Sequence, residues 1–213
     1  MTVPPRAAPE SADSAEIAGP ALALIELDDV PSGLVALDAL AKEAPVVVIA
    51  AGTVQCGHWL IAFAGEVHAV ELAFARARSR AEGAIVDAVL LPYAEPRLLP
   101  ALRDGTVHFP APGDALGVVQ TGSSPTLLRA VDAALKGAQV ELVELRLAEG
   151  LGGRALATLW GAQHDVEAAV ELATAAFARG RPQGCTTAII ANADAEVGRA
   201  LRSGTRFFKE VRG

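Results

Sequence analysis

The 213-residue chain is 52% apolar and 20% charged, enough to bury a core without disulfide staples. Its formal net charge of −7 and scattered Lys and Arg argue against a nucleic-acid or anionic-membrane surface, which needs clustered positive charge. Two cysteines, Cys56 and Cys185, without a CxxC spacing suit a reducing cytosol where thiols stay free or bind metal.

Residues 1–18 are rich in Pro, Ala, Ser and Glu without an apolar middle, which predicts a disordered arm and no secretory signal. A first domain spans 19–103. Its strand at 21–27 leads past Pro31 into a helix whose Leu34, Leu37 and Leu40 recur at helical spacing, and Pro45 stops that helix. Strands 46–51 and 58–64 flank the loop 52–57. A helix over 66–81, a strand over 84–91 and a short helix near 95–102 complete the unit. The stretch 44–65 is long enough to cross a bilayer, but Pro45, Gly52, Gln55, Gly57 and His58 suit two buried strands and a turn better. Residues 104–114 form a Gly/Pro-containing linker. A second domain follows over 115–203, with strands at 115–121, 139–146, 154–160 and 185–191 and helices at 124–137, 163–179 and 194–202. A tail occupies 204–213.

The two domains are copies. At an offset of 94 residues ALALIEL lies over ALGVVQT and DALAKEA over DAALKGA; after two extra residues in the second copy, WLIAFAGEVHAVELA lies over ALATLWGAQHDVEAA. A period this long is a duplicated domain, not a solenoid unit. Each copy reads β-α-β-β-α-β with a helical tail, an α+β sandwich with helices on one face of a mostly antiparallel sheet.

Asp38, Ala39, Lys42 and Ala44, repeated as Asp132, Ala133, Lys136 and Ala138, resemble the D-A-x-x-K-x-A helix end of bacterial microcompartment shell domains. The Gly-bounded loop and the GEVHAV and GAQHDV starts that follow are similar to that family too. With neither copy circularly permuted, the chain resembles the trimeric tandem shell proteins of the propanediol-utilisation type. The resemblance implies a homotrimeric, pseudohexagonal tile with a central pore, non-enzymatic and cytoplasmic, joining other shell hexamers and pentamers and contacting neither nucleic acid nor membrane. Lys42 and Lys136 carry over as tile-edge residues; from the residues alone, each reads as a C-terminal lysine complementing its helix dipole. The Arg-Pro-His segment of single-domain tiles is replaced by PYAEPR (92–97) and ANADAE (191–196).

The resemblance places the pore at Thr53, Val54, Gln55, Cys56 and Gly57, and at Ala148, Glu149, Gly150, Leu151 and Gly152 within the loop 147–153. Relatives of this type hold an iron-sulfur cluster at this loop, and three Cys56 thiols on an axis would offer soft ligands for one. TVQCG carries its cysteine one position later than the TICPG of those relatives. The alternative is a small, weakly polar side chain with no cofactor. His58 is either a further ligand or a strand residue facing sheet or solvent. Glu149 would disfavour anions at the axis, while Arg146 and Arg154 would offset it. The glycines 150, 152 and 153 precede a strand and so make no phosphate loop. His68 and His164, at matching helix starts, read as surface residues, and Cys185 as core. A small-ligand regulatory protein or enzyme on a duplicated ferredoxin-like fold stays open as a third reading.

Overall fold

The computed structural model describes residues 19–104 and 115–202. The expected arm 1–18, the linker beyond Asp104 and the tail 204–213 lie outside the described residues. The first repeat contains β1 (Ala21–Leu27), α1 (Val30–Glu43), β2 (Val47–Thr53), β3 (Trp59–Gly65), α2 (Val67–Arg80), β4 (Ile85–Leu91) and α3 (Leu98–Asp104). The second contains β5 (Ala115–Thr121), α4 (Ser124–Gly137), β6 (Glu141–Arg146), β7 (Ala155–Gly161), α5 (Gln163–Phe177), β8 (Thr186–Ile190) and α6 (Ala195–Arg202). The α+β reading holds, and both sheets are antiparallel, in the orders β2-β3-β1-β4 and β6-β7-β5-β8.

The duplication extends to the register. Ala21 faces Gly65 as Ala115 faces Gly161, and β2 and β6 carry their irregularity at matching places, between Val48 and Ala50 and between Leu142 and Glu144. A bulge kept in both copies is a feature of the fold and bends each strand toward its loop. Boundaries shift modestly. β2 continues to Thr53, and α3 begins at Leu98, because Glu95 is occupied in a turn that takes the Leu98 N–H (3.0 Å).

β1 reads as a continuous apolar run because both of its faces are covered. Ala23 and Ile25 join Leu40, Phe63, Val70 and Phe74 in the core of the first repeat. Leu22 and Leu24 belong instead to a cluster that continues through Leu98 and Ala101 to Leu127, Leu128 and Val131 of the second. The two domains therefore share one apolar core across their seam. Glu26, fully buried in the same strand, marks where that seam is polar.

Candidate functional site

The loops of both repeats come together. In the first, the Val54 N–H donates to His58 O (2.9 Å), closing the turn between β2 and β3. Cys56 at its tip adopts a left-handed φ of 67°, which costs an L-residue roughly 1–2 kcal/mol and turns the side chain from its neighbours' course. Thr53, Gln55, Cys56 and Gly57 are exposed and Val54 is half-buried. In the second, the Glu149 N–H donates to Leu147 O (2.8 Å) and the Arg146 guanidinium to Glu149 O (2.9 Å). Glu149, Gly150 and Gly152 are exposed and Leu151 half-buried, whereas Ala148 is buried. Ala148 thus braces its loop and presents no side chain.

Gln55 Oε1 accepts the Gly152 N–H at 2.6 Å, tying the tips together. Beside them, a Cβ on Gly153 would sit 3.2 Å from Cys56 Sγ, and Gly153 itself has a φ of 83°. Glycine at this position both makes the turn and leaves room for the thiol. Arg146 is turned inward, its Nε 3.9 Å from Glu144, so it supports the loop from beneath; Arg154 stays exposed.

His58 is not a spare ligand. Its Nδ1 lies 2.8 Å from Glu26 Oε1, and Glu26 Oε2 accepts the Ser124 N–H from the second domain at 2.9 Å. One buried carboxylate thereby links the root of the Cys56 loop to the start of α4. His68 and His164 are exposed, as expected. Cys185 is half-buried; burial pushes its thiol up, away from the thiolate a nucleophile needs. Among the described residues no three His, Cys, Asp or Glu gather in a metal-holding group.

The D-A-x-x-K-x-A residues read backbone. Asp132 accepts the Glu95 N–H (2.8 Å), while Lys136 Nζ donates to Tyr93 O (2.5 Å) and to Asp132 (2.7 Å). Both ends of one segment after β4 are therefore gripped by α4. Arg97 adds bonds to Leu135 O (3.0 Å) and Val140 O (2.7 Å). Lys136 thus lies beside the seam between the domains, its side chain 43% exposed. Asp38 and Lys42 make the same internal pair (2.7 Å), but the lysine is 75% exposed and grips no segment among the described residues. The roles of Glu26 and Arg97 at the seam were missed from sequence; a lone acid inside ALALIEL was the available signal.

Two domains of this topology, joined in unpermuted order with loops abreast, define a duplicated α+β domain that meets its twin head to tail. The BMC domain matches residues 21–94 and again 115–193. The chain belongs to that family, as a tandem shell protein of bacterial microcompartments. It is 32% identical over 154 residues to the bacterial microcompartment shell protein PduT of Citrobacter freundii, covering 72% of this chain and 83% of that one. A microcompartment protein from Desulfitobacterium hafniense matches with a TM-score of 0.73 at 28% identity, covering 84% of this chain and 98% of that one. A fused permuted hexameric shell protein from the RMM microcompartment shares the fold at 23% identity, with a TM-score of 0.56, covering 74% and 81% of the two chains. No helix among the described residues is long and apolar enough to cross a membrane.

Proposed function

We propose that three copies close into a pseudohexagonal tile whose paired loops surround a pore for metabolite passage. The observation that carries this reading is that one domain interface is made within the chain while its two equivalent faces stay open. Leu128 is fully buried against the first domain; Leu34, at the same position of α1, is 50% exposed. On the opposite face Leu91 is 8% exposed and Ile190, its counterpart, 38%. A head-to-tail contact that leaves complementary faces open repeats and gives a ring where its rotation closes, and six domains in three chains would bring three loops of each kind to one axis. Lys42 then meets a neighbour at the seam or at the tile edge, the role the family resemblance gives it.

The expected pore residues with exposed surface are Thr53, Gln55, Cys56, Gly57, Glu149, Gly150 and Gly152, with Val54 and Leu151 partly so. A second reading adds an iron-sulfur cluster. The exposed Cys56 thiol supports it by donor type and access, one thiolate from each of three chains supplying three ligands, and the bound group would supply one-electron transfer. The tile would reside in the shell of a cytoplasmic compartment together with other hexamers and pentamers.

Light scattering of anaerobically purified protein, paired with its visible spectrum, tests both readings. A trimer is expected, and Leu34→Glu should reduce it to single chains. A wild-type monomer at every concentration would sink the tile. A visible band amounting to about one cluster per three chains would establish the second reading; a colourless trimer, after reconstitution has also failed, leaves the passage.

A further inference from the structure

The seam made within the chain has a definite polarity. The strand side carries the acids: Glu26 accepts the Ser124 N–H, and Asp87, opposite Glu26 in the register, accepts from the Ser123 hydroxyl (2.5 Å) and the Thr126 hydroxyl (2.6 Å). The helix side presents hydroxyls at its start, with Arg129 further along α4 donating to Ala88 O (3.1 Å), and Ser123 makes no cap bond to its own helix. The start of α4 is therefore served by carboxylates of the other domain, where an anion is favoured.

At three of these positions the open faces hold the opposite type, and the fourth keeps a hydroxyl. Gln120 stands where Glu26 does, and Thr186 is its register partner as Asp87 is that of Glu26. On the helix side Asp29 replaces Ser123 and Ser32 replaces Thr126. Asp28 precedes Asp29, where the second repeat has Gly122. Asp29 caps α1 itself, accepting the Ser32 N–H (2.7 Å) and hydroxyl (2.9 Å). Three linked exchanges have moved the negative charge from the strand to the helix.

Resting on the trimer reading, we infer that Thr186 and Gln120 of one copy dock on Asp29 and Ser32 of the next, forming a second seam with acid and hydroxyl roles reversed. The Thr186 hydroxyl donates to the Asp29 carboxylate there, as Ser123 and Thr126 donate to Asp87 within the chain. Because α4 already covers the Asp87 face of the first domain within the chain, the faces left to pair are that of Thr186 and that of Asp29. First and second domains must then alternate, and so must their two kinds of loop.

The test is the concentration dependence of assembly of the full chain, with circular dichroism to check folding. Thr186→Asp, on an exposed edge strand, should raise the midpoint of trimer dissociation about tenfold or more, since like charges now meet. Adding Asp29→Ser restores the acid and hydroxyl pairing of the internal seam and should recover most of that loss, while Asp29→Ser alone, which removes the acceptor of the Thr186 hydroxyl, should weaken assembly modestly. Gln120→Glu should weaken assembly in the same direction. A wild-type trimer indifferent to Thr186→Asp, or a double variant no tighter than the single one, overturns the assigned seam and leaves the tile standing. A wild-type chain that never assembles overturns both.

Discussion

Helices α1 and α4 each have 14 residues, begin at equivalent positions and follow a residue in extended conformation with Pro in the first turn. Ten residues of α4 are buried, against Gly33, Ala36 and Leu40 in α1. Intrinsic propensity does not separate them; what covers their outward faces does. A leucine at one repeat position is core in α4 and surface in α1, so its apolar character is explained by the interface it is suited to and not by the fold of its own domain. The inner faces differ in another way. A Cβ on Gly33 would lie 2.2 Å from Trp59 Cγ, whereas the second repeat has Leu127 and Ala155 at these two positions, both fully buried. Large and small have exchanged places across one contact, keeping the volume of the layer.

That exchange gives the largest expected effect. Gly33→Leu alone should destabilise the chain by about 3 kcal/mol, since the ring cannot share its space with a side chain. Pairing it with Trp59→Ala, so that the first repeat carries the residues of the second, should recover most of the loss. Urea unfolding of both variants decides the point: a double variant no more stable than Gly33→Leu would mean that the two layers pack differently.

The repeated element order and the helix-end motif were legible because they depend on local patterns: the run of apolar residues at 21–27, the helical spacing of Leu34, Leu37 and Leu40, and the prolines at 31 and 45. The candidate loops were legible as glycine-bounded connections. The conformation of Ala148 was not, for its left-handed φ of 60° has no glycine to announce it, and alanine in such a loop gives no sign of facing inward. Nor was the work of Asp132 and Lys136 visible. Their spacing predicts an i,i+4 pair on either helix, but the backbone that the pair grips lies 37 and 43 residues away. Contacts between domains depend on the placement of whole sheets, which no short window encodes.

The same acid in the two repeats separates chain stability from assembly. Asp132→Ala removes the acceptor of the Glu95 N–H at the covered seam and should cost about 2 kcal/mol at every protein concentration. Asp38, 63% exposed in its side chain, has no such role within the chain. Asp38→Ala loses the exposed pair with Lys42, about 0.5 kcal/mol at most, and any larger effect should act through association and disappear on dilution. A dilution series of denaturant midpoints checks this; equal, concentration-independent losses in both variants would show that the exposed motif is already satisfied within one chain.

The smallest effect concerns how each helix start is capped. The backbone N–H of Ser32, and then its hydroxyl, hold the Asp29 carboxyl below its ordinary value. With the folded-state pKa depressed, the charged cap contributes stability above the unfolded value near 4, and that contribution is lost as pH falls through the folded pKa. Asn at this position keeps the acceptor oxygen but not the charge. The advantage of wild type over Asp29→Asn should therefore be present at pH 6 and fade below about pH 4. Water around the carboxylate keeps the difference small and added salt should shrink it further. A pH-independent difference between the two proteins would mean that α1 gains geometry from Asp29 and no charge. The starts of the two helices would then differ only in the source of the cap, which for α4 the other domain supplies through Glu26.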